Sequence, residues 1–359
     1  MKIMHIAGAR PNFMKVAPVM QALADCGSPL EQVLVHTGQH YDFEMSQVFF
    51  EDLGMPTPDE YLQVGSGSHA EQTGKIMIAF EPVLLRRKPD WVVVVGDVNS
   101  TVACALVCAK LNVRVAHVEA GLRSGDREMP EEINRLLTDQ LADLLFTPSQ
   151  DGDANLLREG IAPEKIHFVG NVMIDSLVKM LPAAALRTVL SDLGLEKKSY
   201  ILVTLHRPSN VDNPEVLARI LSALSELALR QPVLFPVHPR TRLRMQEFGL
   251  EAPGVRFLDP LGYLDFLALT QAADIVMTDS GGIQEETTFL GVPCLTLRAN
   301  TERPITLELG TNRLVPSEKQ AILEAAAHTR QGEPGARQIP PLWDGRAAAR
   351  IAEVLLRNP

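Results

Sequence analysis

The chain has 359 residues, 46% of them hydrophobic and 22% charged, with a formal net charge of −10. That composition belongs to an ordinary globular protein of one large or two medium domains, and the acidic balance excludes nucleic acid and anionic membrane surfaces as expected partners. No stretch reaches the roughly 20 consecutive apolar residues of a membrane span, and Arg10 and Lys15 fall where a signal peptide would have its apolar centre, so a cytoplasmic location is expected. The four cysteines, Cys26, Cys104, Cys108 and Cys294, contain no Cys-x-x-Cys pair and read as buried free thiols.

Residues 2–7 predict a short first strand, Gly8-Ala9-Arg10-Pro11-Asn12 a tight turn, and Phe13 to Ala24 a helix. A strand, glycine turn and helix open many nucleotide-binding domains, but the full Gly-x-Gly-x-x-Gly fingerprint is missing, so a dinucleotide is not favoured. Further strands are predicted at 32–36, 91–95, 114–118, 144–147 and 167–169. The strand at 91–95 is almost wholly apolar, as a central parallel strand should be. Pro130 occupies the first position of a helix whose first turn carries Glu131 and Glu132.

Gly170 to Asp175 reads as a crossing segment, after which the alternation restarts. Strands are predicted at 200–204, 233–236, 255–258, 273–277 and 292–297, with helices between. The fold class expected is α/β, with two Rossmann-like doubly wound domains, 1–170 and 171–343, facing across a cleft. A C-terminal helix, 344–359, is expected to return to the first domain.

Ligands of open α/β sheets bind beyond the carboxyl ends of the strands, and the polar residues of this chain collect there. The first half supplies Arg10, Lys15, Gln39, His40, Asp97, Glu119, Arg123, Glu131 and Arg135. The second supplies His206, Arg207, His238, Ser280, Glu286, Glu302 and Arg303. Met277-Thr278-Asp279-Ser280-Gly281-Gly282 is an apolar strand followed by a short polar pair, two glycines and a helical pattern. Such a turn offers free N–H groups and the positive helix end to an anion, and Ser280 can cap the helix or donate its hydroxyl. Clustered carboxylates at the first set of strand ends are expected to raise one another's proton affinity, which suits acid and base work. The residues therefore point to a phosphate-bearing substrate held by the second half, with proton transfer in the first. Plainer readings remain at this stage: a helix salt bridge between Glu131 and Arg135, Asp97 as a helix cap, and a metal held by the carboxylates, although the usual ligand spacing is absent. His5 and His117 read as core histidines, His117 with a possible supporting role.

The ordered motifs resemble the non-hydrolysing UDP-N-acetylglucosamine 2-epimerases. They are Gly8-Ala9-Arg10-Pro11-Asn12-Phe13-Met14-Lys15, Thr37-Gly38-Gln39-His40, Gly96-Asp97, His117 to Arg123, Pro130 to Arg135, His206-Arg207, Asp279 to Glu286 and Thr301-Glu302-Arg303-Pro304. The resemblance implies a GT-B architecture, a homodimer, a UDP-sugar substrate and no cofactor. It implies anti elimination of UDP to 2-acetamidoglucal and re-addition with the C2 proton on the other face. Asp97, Glu119 and Glu131 would transfer protons, and His206 would assist the departing phosphate. Arg10 and Lys15 would meet the sugar diphosphate, Ser280, Gly281 and Gly282 the phosphates, and Glu286 the ribose. Leu261 and Phe266 would frame the uracil, with Arg135, His238 and Arg303 completing the substrate-binding set. Two departures matter. Gln39-His40-Tyr41-Asp42 lacks the second glutamine of relatives activated by their own substrate, so weak or absent activation is expected. His206-Arg207-Pro208-Ser209-Asn210 also resembles relatives acting on modified sugars such as UDP-2,3-diacetamido-2,3-dideoxyglucuronate.

Overall fold

The computed structural model describes residues 1–27, 29–38, 53–331 and 338–359. The chain divides into two compact units: Met1–Ser176 together with Pro341–Pro359, and Leu177–Pro340. Gln39 and His40 lie outside the described residues, and so does the side chain of Arg10.

The first unit is built on a seven-stranded sheet in the order β3-β2-β1-β4-β5-β6-β7. Its strands are β1 (Lys2–Ala7), β2 (Glu31–His36), β3 (Glu60–Tyr61), β4 (Trp91–Val95), β5 (Arg114–Val118), β6 (Leu144–Thr147) and β7 (Ile166–Phe168). All pairings are parallel. Parallel strands need crossovers, here including α1 (Arg10–Asp25), α2 (His69–Arg87), α3 (Asn99–Lys110), α4 (Pro130–Leu141) and α5 (Gln150–Arg158). Strand β4, Trp91 to Val95, is buried throughout because helices cover both faces of such a sheet. Cys104 and Cys108 are buried in this core, whereas Cys26 at the end of α1 is exposed, contrary to the expectation for all four thiols. His5 is buried, bonded to Gln32 at 2.9 Å, and burial pushes its imidazole down to about 4, as suits a core histidine.

The second unit repeats the plan. Its strands are β8 (Ile201–Thr204), β9 (Val233–Pro236), β10 (Arg256–Leu258), β11 (Ile275–Thr278), β12 (Cys294–Thr296) and β13 (Asn312–Leu314), in the order β10-β9-β8-β11-β12-β13 and again parallel. Both sheets thus reverse direction of winding beside their first strand. The switch points lie between β1 and β4 and between β8 and β11, where adjoining crossovers leave in opposite directions and open a crevice. The α/β class with two doubly wound units is as expected. Helix α6 (Val172–Ala184) carries the chain onward from the first unit, and the C-terminal helix (Ala347–Arg357) is part of that unit. Among the described residues no helix is long and apolar enough to cross a membrane.

Candidate active site

In the first unit the switch point is lined by side chains that bind one another. The turn after β1 is closed by Asn12, whose Oδ1 accepts from the Gly8 and Ala9 amides at 3.0 and 2.9 Å and whose amide donates to the Val95 carbonyl at 3.2 Å. One turn further along α1, Lys15 is buried and its Nζ donates to Glu119 Oε1 at 2.7 Å. Gly96 is required here: its φ is +65°, and a Cβ would lie 2.9 Å from Lys15 Nζ. Glu119 itself has φ +73°, the left-handed region that a non-glycine residue occupies only when its surroundings enforce it. The enforcing contacts include the Glu119 amide donating to the Phe146 carbonyl at 3.0 Å and the Lys15 ion pair. The chain thus accepts backbone strain in order to aim one buried carboxylate.

Asp97 does not cap α3. The cap position is Val98, without a side-chain bond, and Asp97 Oδ2 instead receives Arg135 Nη1 at 2.5 Å. Arg135 is buried on α4 and also donates to Glu132 Oε2 through Nε and Nη2, at 3.0 and 2.7 Å. Glu132, which sequence reasoning did not single out, also accepts from the Ser124 and Gly125 amides at 3.0 and 2.9 Å. Burial pushes the Glu132 carboxyl up, but the bonds from Ser124, Arg135 and Gly125 outweigh it and hold it below the usual range. Glu131 stands half-buried on the first turn of the same helix. Asp97 and Glu119, expected to perturb one another as neighbouring carboxylates, are each bonded to a cation. Among the described residues no group of three or more His, Cys, Asp or Glu side chains could hold a metal ion.

At the second switch point the organising group is Asp279, fully buried just after β11. It accepts from the His206 amide at 3.1 Å, the Arg207 amide at 2.9 Å and Asn210 Nδ2 at 3.2 Å, and its Oδ1 lies 3.0 Å from His206 Nδ1. Burial pushes its carboxyl up, and the bonds from His206, Arg207 and Asn210 outweigh that and hold it down. The pairing puts a proton on His206 Nδ1 and turns Nε2 outward on a half-exposed ring. His238 lies nearby, its ring centroid 6.0 Å from that of His206, and its Nδ1 accepts from the Arg240 amide as the cap of helix α7 (Pro239–Phe248).

Ser280 occupies the cap position of the helix Gly281–Leu290, but its side chain makes no cap bond, contrary to one of the two roles expected for it. Gly281 is needed for a reason the sequence did not disclose. A Cβ there would lie 2.3 Å from Arg303 Nη1 and 2.7 Å from Glu302 Oε1. Arg303 is buried between Glu302, at 2.5 Å, and Glu285, at 2.8 Å, and Arg298 joins Glu302 at 2.8 Å. Burial pushes the Glu302 carboxyl up, but Arg303, Arg298 and Arg207 hold it far below the usual range. Gly282 follows in the first turn of that helix. Glu286, one turn further, is buried and accepts from the Tyr263 hydroxyl at 3.1 Å. Leu261 and Phe266 pack, partly buried, against the apolar cluster that contains Tyr200, Leu202 and Leu269. Among the described residues, Lys15 thus meets Glu119 and Arg135 meets Asp97 in the first unit, and His206 lies by His238 and Arg303 by Glu302 in the second; Glu132, Asp279, Glu285 and Tyr263 are the partners that sequence reasoning left out.

A family model described as UDP-N-acetylglucosamine 2-epimerase matches residues 25–356. The UDP-N-acetylglucosamine 2-epimerase of Methanocaldococcus jannaschii is 43% identical over 366 residues, covering 99% of this chain and 99% of that protein. The UDP-2,3-diacetamido-2,3-dideoxy-D-glucuronate 2-epimerase of Pseudomonas aeruginosa is 43% identical over 361 residues, covering 99% of this chain and 100% of that protein. The crystal structure of the M. jannaschii UDP-GlcNAc 2-epimerase in complex with UDP-GlcNAc and UDP superimposes with a TM-score of 0.93 at 43% identity, covering 99% and 100% of the two chains.

Proposed function

The chain belongs to the UDP-N-acetylglucosamine 2-epimerase family, an isomerase family of GT-B-type α/β fold, and on that premise we propose that it interconverts UDP-N-acetylglucosamine and UDP-N-acetylmannosamine. The observation that carries the reading is the pair of ion-paired carboxylates at the first switch point, the buried Glu119 on Lys15 and the partly exposed Asp97 on Arg135.

In this reading the carboxylates Asp97, Glu119 and Glu131 move the C2 proton, one as base and another as acid on the opposite face. The C2–H bond breaks as its electron pair forms the C1–C2 double bond of 2-acetamidoglucal, and the C1–O bond breaks with its pair leaving on the UDP β-phosphate. Arg135 and Lys15 hold Asp97 and Glu119 in place, and Arg10 and Lys15 would meet the sugar diphosphate. The second unit holds the leaving group. The amides of Gly281 and Gly282, the Ser280 hydroxyl, His206, His238 and Arg303 meet developing negative charge, which lowers the barrier because that charge grows as the bond breaks. Glu286, fixed by Tyr263, takes the ribose hydroxyls, and Leu261 and Phe266 frame the uracil. Re-addition of UDP after protonation from the other face completes the epimerisation without a cofactor. The functional division proposed is a catalytic domain at 1–170, a UDP-binding domain at 171–343 and the C-terminal helix at 344–359, in a cytoplasmic homodimer.

A second reading, a modified sugar as the substrate, rests on the equal 43% identity to the diacetamido-glucuronate epimerase. The test is a panel of UDP sugars incubated in heavy water and followed by mass spectrometry. Exchange of one deuterium and appearance of the C2 epimer from UDP-N-acetylglucosamine support the first reading. Turnover of only the diacetamido-glucuronate replaces it with the second. Release of free sugar and UDP would identify a hydrolase instead.

A further inference from the structure

His117 and Asp139 form a fully buried pair behind the first switch point. His117 is the penultimate residue of β5, two before Glu119, and Asp139 lies on the inner face of α4. His117 Nδ1 lies 2.6 Å from Asp139 Oδ1, and His117 Nε2 lies 2.8 Å from the carbonyl oxygen of Gly96. Both ring nitrogens therefore face oxygen acceptors. A neutral imidazole has one N–H and one lone pair, so one of the two contacts would set a lone pair against an oxygen in a dry interior. With Asp139 ionised, as its partners hold it, only the doubly protonated ring satisfies both. Asp139 is arranged to hold such a charge: its other oxygen accepts from the Gly121 amide at 3.1 Å and lies 2.7 Å from Arg123 Nη2. Arg123 in turn binds Glu159 at 2.6 Å, so the charges alternate outward from the ring. Burial pushes the Asp139 carboxyl up, and His117 and Arg123 outweigh it and hold it down.

The carbonyl that the ring holds belongs to the residue immediately before Asp97. The same ring is fixed to β5, which delivers Glu119. We propose that His117, as an imidazolium charged by Asp139, is a positioning residue that ties the end of β4 to the end of β5 and so sets the places of Asp97 and Glu119. The proposal rests on the epimerase reading above for its catalytic consequence, but not for its charge state. Replacing the His117 ring by phenylalanine removes both of these bonds at similar volume, which would release the Gly96 carbonyl and displace Asp97 without touching the second unit.

The experiment joins nitrogen NMR to isotope exchange. In uniformly 15N-labelled wild-type protein at about pH 7.5, where an ordinary imidazole is mostly neutral, His117 assigned by through-bond correlation should show both ring nitrogens protonated. A ring with one unprotonated nitrogen overturns the proposal, and this arm needs no variant to fold. In Asp139→Asn the ring should become neutral, and a ring still doubly protonated overturns the proposal. In His117→Phe C2 deuterium exchange should fall at least about tenfold while UDP affinity stays within about threefold, and exchange within threefold of wild type also overturns it. A doubly protonated ring in a wild-type protein that exchanges no C2 proton of any UDP sugar supports the charge state and overturns the epimerase reading, so the two failures are distinguishable.

Discussion

The ion pair of Lys15 and Glu119 gives the account its most exposed prediction about energetics. Both side chains are buried, at 6% and 5% exposure, and their atoms meet at 2.7 Å. At an effective dielectric of about 20 their attraction is on the order of 6 kcal/mol, against which the desolvation of both groups must be set. Lys15→Met removes the cation and leaves the carboxylate buried beside Asn12 and Gly96. Removing one partner of a buried pair costs about 3–5 kcal/mol, or a fall of roughly 10 °C in the unfolding temperature of a unit this size. The double variant Lys15→Met with Glu119→Gln also removes the carboxylate charge, and most of the loss should return. Calorimetry on the single and double variants measures both. A single variant within about 1 kcal/mol of wild type, or a double variant no more stable than the single, refutes the claim that Lys15 compensates a buried, ionised Glu119.

Gly281→Ala should cost about 1–3 kcal/mol, because the added carbon meets Arg303 and Glu302, whose ends are fixed by Glu285 and Arg298 and have no room to swing aside; thermal unfolding measures it, and a neutral result would show that this network yields. Ser280→Ala should weaken UDP binding by about 1–2 kcal/mol, the scale of a lost hydrogen bond to a charged group, as read by calorimetric titration. Asp175 accepts from the Ala347 and Ala348 amides at 3.1 and 2.7 Å, and burial pushes its carboxyl up to about 6. A group raised in the folded state contributes stability that is present below its unfolded value, about 3.9, and is lost as pH rises through about 6. Folding stability should therefore fall by about 2–3 kcal/mol between those values, and Asp175→Asn should flatten that part of the urea-denaturation profile.

Much of this was legible in the sequence because parallel strands covered on both faces must be apolar throughout. Trp91–Val95 and Ile275–Thr278 announce themselves for that reason, and the polar residues that follow them mark the strand ends. The edge strands Glu60–Tyr61 and Asn312–Leu314 were missed, being too short to show any periodicity. The candidate acids could be named, but not their partners: Asp97 and Arg135 are 38 residues apart and Lys15 and Glu119 are 104 apart, separations that no local pattern encodes. Glu132 was passed over for Glu131 because adjacent helix residues look alike in sequence, while their different directions decide which one meets Arg135 and the Ser124–Gly125 amides. Asp279 looked like half of a polar turn, and only the fold shows that it orders the His206-Arg207 backbone from β8. The resemblance places Gly281 on the phosphates, whereas the buried Arg303 guanidinium already demands a glycine there.

The central claim is that the first unit's carboxylates break the C2–H bond while the second unit holds UDP. Its most direct test is the mass of UDP-N-acetylglucosamine recovered from heavy water after incubation with Asp97→Asn. The account predicts that wild-type protein adds one deuterium at C2, and that the variant adds none although it binds UDP as wild type does. Exchange by Asp97→Asn at near the wild-type rate would contradict it.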